Sequence, residues 1–389
     1  MPRKRLLTLL AALVLTAGFV AGGCRSNPKP VQKAVAKPKP PAPPTRISEI
    51  DLRAYKPNEA GAVMVIMYHH INPKKPNNDM NRTPDQFRKD LQTLYDKGYR
   101  PVTLREFAEN NMDVPAGKTP VVLTFDDSYI SQFRYTDPAG SVIDPNCAVG
   151  IMEEFSRQHP DWKPKATFFV LHGGKNPPAF YQHGMTAQKF AYLLELGCEI
   201  GSHSLSHGNF RRMTPQRIMQ EVAGSIKAIQ EECPDAKITS LAVPYGNAPR
   251  DPAALQACIS GKADGVEYRL SAVVMAAWRP TLAPITKRNL KTPFAGQVAA
   301  GNPYHIERIV PHPGKASTAG TLEYYLKFFD QNPALRYVSD GNPRVVAVPQ
   351  GMASLVDEKI VKSMGKRLQV YSLTPQPKQK GAAGNLGAQ

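Results

Sequence analysis

Two carboxylates stand side by side in "VVLTFDDSYI", at the end of an apolar run from Val121 to Phe125. Asp126 and Asp127 repel each other, so the pair points to a bound cation, a catalytic division of labour, or plain solvent exposure. A second pair, His203 and His207 in "SHSLSH", stands four residues apart directly after the strand-like "CEIG". Read as a helical turn, that spacing brings both imidazoles to one side, within reach of one metal. A single histidine there would read as a packed or surface residue; joined to two acids at another strand end it reads as a donor set. Two imidazole nitrogens and one carboxylate oxygen suit a divalent ion, zinc first, with cobalt, nickel or manganese as alternatives. Three protein ligands are enough at a catalytic site, because water holds an open position.

The elements that must position these groups alternate. "GAVMVIMYHHI" reads as a buried strand over Val63–Tyr68, and "TPDQFRKDLQTLYDKGY" as a helix capped by Thr83 with Pro84 in its first turn. Phe87, Leu91, Leu94 and Tyr95 would share its buried face. "RPVTL", residues 121–125, "KATFFVL" and "CEIGSHS" read as further strands, with helices in "LREFAEN", "TAQKFAYLLELG" and "TPQRIMQEVAGSIKAIQEEC". Strands alternating with helices predict a parallel α/β fold, open or closed, with chemistry at the C-terminal strand ends. Beyond Gly246 the rhythm loosens: "EYRLSAVVMAAW", "ERIVPH", "RVVAVP" and "RLQVYSL" read as strands and "TLEYYLKFF" as a helix.

The front of the chain is of another kind. Arg3, Lys4 and Arg5 precede an apolar run of 15 residues and then "AGGC". That is a secretory signal, too short for a span of about 20 residues. A Cys after Ala21, Gly22 and Gly23 resembles a bacterial lipobox, so residues 1–23 are expected to be removed and Cys24 to carry a lipid anchor in the cell envelope. Residues 24–48, rich in Pro and Lys, form a linker without apolar periodicity. The formal net charge is +17, but residues 1–48 hold nine of the 49 Lys and Arg and no acid, leaving 40 basic and 32 acidic residues, or +8, for the rest. No nucleic-acid motif accompanies that mild excess. Cys147, Cys198, Cys233 and Cys258 form no CxxC pair and read as buried thiols or structural bridges. Residues 374–389 are polar and expected to be disordered.

"TFDD", "HSLSH" and "VPYG" (Val243–Gly246) stand in the order typical of polysaccharide deacetylases, the NodB-homology carbohydrate esterases, which the chain resembles. "YHHI", "FRKDLQTLYDKGYRPVTL" and "ATFFV" are similar as well. The resemblance runs from Val63 to Gly246 and more weakly to Val348. It implies a distorted (β/α)7 barrel over residues 60–373, with residues 129–165 inserted, and a metal-dependent deacetylase acting on an acetylated polysaccharide. It also implies roles. Asp127, His203 and His207 would hold one divalent metal, Asp126 would act as base on its water, and the Tyr245 backbone N–H would meet the oxyanion. His312 in "RIVPHPG" would protonate the leaving amine, with His69 and His70 as competitors for a place at the site.

Three departures from the family pattern matter. Ala242 stands where an Arg commonly neighbours the catalytic Asp; Arg250, Arg279 or Arg308 could substitute. Ser128 stands where Gly is common. The tryptophan motif matches only loosely, with Trp278 as its candidate. In the insertion, Tyr129, Phe133, Tyr135 and Trp162 could stack on sugar rings or pack the loop. N-deacetylation of an N-acetylglucosamine polymer or peptidoglycan is the leading expectation. The alternatives are an O-acetyl esterase, a non-catalytic glycan-binding lipoprotein and a metal-bound structural lipoprotein.

Overall fold

The structure, a computed structural model, describes residues 49–72, 81–288, 296–311 and 319–372. The signal segment, Cys24, the linker, His312 and the tail 374–389 lie outside the described residues. Strands β1 (Ala62–Tyr68), β2 (Tyr99–Val102), β3 (Thr119–Phe125), β4 (Thr167–Val170), β5 (Glu199–Ser202) and β6 (Ser240–Ala242) come first. They are followed by β7 (Ser260–Ala263), β8 (Val266–Arg269), β9 (Ala272–Val274) and β10 (Thr281–Leu282). The last two are β11 (Val345–Pro349) and β12 (Arg367–Tyr371).

β1, β3, β4, β5, β6 and β9 pair in that order, all parallel. The stretch from Ile306 to Ile309 then bridges β9 through Val274 and β1 through Ile66, again parallel. Its backbone bonds run both ways: Ile306 N–H to Val273 O at 3.0 Å, and Ile309 N–H to Val65 O at 2.9 Å. Six strands and one irregular stave therefore make a (β/α)7-type barrel, the architecture expected. β10 joins β1 antiparallel, and β2 pairs with the first half of β3.

Alternation along the strands builds two cores. In β1, Met64, Ile66 and Tyr68 face the outer layer, where helices cover the sheet; Val63 and Val65 face the interior with Val122 of β3, Val274 and Ile306. The helices, in chain order, are α1 (Glu49–Tyr55), α2 (Pro84–Asp96), α3 (Leu104–Ala108), α4 (Ala148–Gln158) and α5 (Thr186–Glu195). They continue with α6 (Pro215–Glu232), α7 (Pro252–Ala257), α8 (Leu322–Gln331) and α9 (Glu358–Ser363). Thr83 caps α2 as expected, in a reciprocal box with Gln86; Phe87, Leu91 and Leu94 are buried, while Tyr95 is only half-buried. Each such buried side chain contributes roughly 1.5–3 kcal/mol. Thr214 caps α6, which buries Ile218, Val222, Ile226 and Ile229 along one stripe.

Several expectations change. "EYRLSAVVMAAW" is not one strand: β7 and β8 form an antiparallel hairpin, and the chain leaves it at Leu270–Ser271 to enter the barrel as β9. Folded structure also precedes residue 60, since Leu52 of α1 packs on Val345 and Ala347. Phe133, Tyr135 and Trp162 are core residues rather than sugar platforms. The four cysteines are buried and unpaired. No helix among the described residues is long and apolar enough to cross a membrane.

Candidate active site

The alternation that sorts the cores also aims the site. Val122 faces the barrel interior, so Thr124 and Asp126 of the same strand line face inward two and four residues on. On the closing stave Ile306 faces inward, and so does Arg308. The two staves flank β1, and their inward residues meet. Arg308 Nη1 donates to Asp126 Oδ1 at 2.7 Å and Nη2 to Oδ2 at 2.8 Å, a bidentate pair. The guanidinium is itself held, donating through Nε to Met275 O (3.1 Å) and through Nη1 to Thr124 Oγ1 (3.2 Å). Both partners are nearly fully buried. Of the three candidate arginines, Arg308 is thus the one at Asp126; Arg279 pairs with Glu307, and Arg250 is exposed. Burial alone would raise the Asp126 carboxyl, but Arg308 and the nearby imidazoles outweigh it and hold the group below the ordinary carboxylate range.

Asp127 turns the other way. Asp127 (φ 70) and Ser128 (φ 48) both adopt left-handed backbone, which accounts for the family's Gly at the second position. Here the Ser128 hydroxyl compensates by accepting from Leu171 N–H at 2.9 Å, tying the end of β3 to that of β4. The turn is further locked by Gln132, whose Nε2 donates to the carbonyls of His69 (2.9 Å) and Asp126 (2.5 Å).

His203 and His207 do not sit on a helical turn. The chain after β5 is a loop with Ser204 at φ 67 and His207 at φ 54. Serines shape it: Ser204 Oγ accepts from His207 N–H (2.9 Å), and Ser206 N–H and Oγ bind the buried Glu221 of α6, both at 2.8 Å. The loop still brings the two imidazoles together, Nε2 to Nε2 at 3.2 Å. Asp127 Oδ1 lies 3.2 Å from His203 Nε2 and 3.4 Å from His207 Nε2.

These three side chains could hold a metal. Their donor atoms all lie within 4.8 Å of one another. Asp127 Oδ1 is buried and makes no hydrogen bond, which is costly unless a cation meets it. His203 Nδ1 stands 2.9 Å from Ala242 O; a carbonyl only accepts, so Nδ1 carries the proton and Nε2 keeps its lone pair for a metal. Burial opposes the Asp127 charge, yet the surrounding histidines hold its carboxyl far below the ordinary range. Burial would lower His203, but Asp126 and Asp127 raise it; His207 and His69 are lowered, mainly by burial.

A cleft of about 640 Å³ opens over this cluster. Tyr245 and Trp278 stand at its rim, both exposed and both in left-handed backbone (φ 61 and 72). The Tyr245 ring lies 4.6 Å from that of His207. Gly246 follows at φ 63, packed so closely that a Cβ would approach Ala276 N to 2.7 Å. His69 and His70 line the cleft too, and His69 Nε2 stands 3.8 Å from Asp127 Oδ2. Two contributors were not singled out by sequence: Gln132 as the lock on the turn, and the Tyr129 phenol as a neighbour of Asp127, raised by burial and by that charge. Their only signal is position, just after the acidic pair.

Residues 113–258 match the family model described as polysaccharide deacetylase. YxkH of Bacillus subtilis, designated a polysaccharide deacetylase, is 26% identical over 218 residues, 56% of this chain and 68% of the relative. The Streptococcus pyogenes deacetylase PplD, solved in complex with acetate, is similar at a TM-score of 0.45 and 20% identity, over 65% of this chain and 95% of that one. The polysaccharide deacetylase BC0361 from Bacillus cereus is similar at 0.47 and 15%, over 68% of each chain. The matched stretch, which is similar to polysaccharide deacetylases, holds Asp126, Asp127, His203, His207 and Tyr245, while Arg308 lies beyond it.

Proposed function

We propose that the protein is a metal-dependent N-deacetylase of an N-acetylglucosamine polymer or peptidoglycan, tethered to the cell envelope through Cys24. The observation that carries this reading is the divided acidic pair: Asp126 is clamped by Arg308, while Asp127 faces two histidines. Asp127, His203 and His207 would hold the metal. When bound, a divalent ion supplies Lewis acidity to the acetyl carbonyl and to the attacking water.

The chain's own groups do the rest. Asp126 takes the water's proton; the Arg308 clamp occupies one lone pair on each oxygen and leaves Oδ2, 4.0 Å from His203 Nε2, facing the cluster. The Tyr245 backbone N–H is assigned to the oxyanion that develops as water adds to the acetyl carbon. The C–N bond then breaks, releasing acetate and a free amine, and His312 is assigned the proton that the amine takes. Arg308 answers one of the two grounds for a non-catalytic reading, the missing arginine at Ala242; the other, the acid, rests on His312.

The test follows acetate release from N-acetylglucosamine oligomers and from acetylated xylan, with protein loaded in turn with zinc, cobalt, nickel and manganese. Release from the oligomers supports the reading, and release from xylan alone makes the protein an O-acetyl esterase. No release with any metal from folded protein would sink it. Asp126→Asn is expected to keep metal and lose activity, and His203→Ala to lose metal. For the anchor, lipid labelling is expected to vanish in Cys24→Ser.

A further inference from the structure

The cleft does not end at the acidic pair. A second cavity of about 580 Å³ adjoins it, walled by His70, Tyr129, Ile130, Arg134, Asp144 and Tyr181. The two spaces share His70 and Tyr129, whose rings stack 3.6 Å apart. On its other side Tyr129 lies nearly parallel to Tyr181, with centroids 6.2 Å apart and planes 14° off. Seven large hydrophobic residues are exposed among the described residues. Tyr245 and Trp278 line the cleft, Ile130 and Tyr181 the second cavity. Single exposed apolar residues are ordinary, but four along one continuous groove mark a binding face.

The second cavity is built rather than left over. Its walls come from the segment after β1, from the insertion and from the loop between β4 and α5, and Gln182 stitches the last two together by bonding Tyr135 N–H (2.9 Å) and Tyr135 O (3.0 Å). Beneath them the buried Lys189 Nζ donates to Phe133 O at 2.9 Å and to Phe180 O at 3.3 Å. Tyr181 is presented in left-handed backbone (φ 54) on that support. Beside the rings, Arg134 and Asp144 pair at 2.7 Å and offer a donor and an acceptor with no net charge. Flat aromatic walls with one balanced polar pair suit a neutral pyranose, whose C–H face lies on a ring while hydroxyl and acetamido groups meet the polar edge.

We propose that this cavity is a glycan subsite. It holds a non-reacting, neutral N-acetylhexosamine residue of the same chain whose acetyl group lies in the cleft. The protein thereby acts on internal positions of a linear polymer rather than on single sugars. This rests on the deacetylase reading of the cleft.

The test compares the N-acetylglucosamine dimer with the hexamer on the full-length protein, by kcat/KM for acetate release and by calorimetric binding to Asp126→Asn. The hexamer is expected to be favoured over the dimer through KM. Tyr181→Ala should shrink that preference by about three- to tenfold, the worth of one aromatic platform, and Tyr181→Trp should retain it. A purely structural role for Tyr181 would instead shift both oligomers equally and lower the melting temperature. An unchanged hexamer-to-dimer ratio in Tyr181→Ala overturns the subsite, as does a gain from an attached peptide but not from added sugars. If no glycan releases acetate, the deacetylase reading fails, and the calorimetric ratio still decides the subsite.

Discussion

If Arg308 keeps Asp126 ionised and aimed, Arg308→Gln must lower both stability and rate, and Asp126→Asn must hide the second loss. The charge centres of a bidentate pair stand roughly 4 Å apart, worth about 4 kcal/mol at an effective dielectric near 20. Breaking a buried pair from one side costs about 3–5 kcal/mol, because the other charge stays buried without its partner. Both side chains here are nearly fully buried, so solvent screening gives little relief. Urea unfolding of Arg308→Gln should therefore show a loss of about 3–5 kcal/mol, a large share of the ~5–15 kcal/mol of a typical domain. A loss below about 1 kcal/mol, the worth of an exposed ion pair, would refute the argument.

The kinetic half is a double-mutant cycle. Removing a general base costs about 10²–10⁴-fold, and that is the ceiling for Asp126→Asn. Arg308→Gln should fall at or below it, since Arg308 acts through the carboxylate. The double variant should then be no slower than Asp126→Asn, within a few-fold. Losses that multiply would mean that Arg308 contributes to the reaction by a route independent of Asp126.

Three further outcomes follow from the structure. Gln132→Ala removes the donor to the carbonyls of His69 and Asp126 that locks the turn presenting Asp127, and metal titration should show about 10–100-fold weaker binding without loss of the fold. Ser128→Ala keeps the left-handed strain while losing the Leu171 bond, so it should cost about 1 kcal/mol or more in thermal melts; Ser128→Gly, which relieves the strain, should cost less. Burial, with the Asp340 charge beside it, raises the Glu59 carboxyl to about 8. The folded protein then keeps a proton that the unfolded chain gives up near 4.5, so this contribution to stability is full below about 4.5 and falls as pH rises toward about 8. Urea melts across that window should show the decline, and Glu59→Gln should flatten it.

Much of the frame is legible in short-range pattern. The apolar run into Asp126 and Asp127, the Thr83 cap and the alternation of strand with helix each need only a few neighbouring residues, and each appears where expected. What fails depends on context that spacing does not carry. Four residues between histidines suggests a helical turn, but the serines of "SHSLSH" offer the backbone competing hydrogen bonds and fold it as a loop. Aromatic residues in an insertion look like sugar platforms until the insertion packs on the main core, which takes Phe133, Tyr135 and Trp162 and leaves Tyr129 at the groove. "EYRLSAVVMAAW" reads as one strand because both halves are β-rich; the break follows from tertiary demands, a hairpin on α6 and then a barrel stave.

The arginine is the instructive case. Arg308 lies 182 residues from Asp126, beyond the stretch that matches the family. No local pattern could link them, yet the barrel makes the link nearly inevitable. A carboxylate at the inner end of one stave is reached by inward side chains from its neighbours around the ring, and arginine has the length and the paired donors to span β1. Ala242, on β6, does other work: its carbonyl orients His203. A charge that the family commonly supplies from that position is supplied here from the closing stave, which the sequence shows only as "ERIV" after an inward Ile306. The requirement is a cation at the carboxylate, and the closed ring lets either stave meet it.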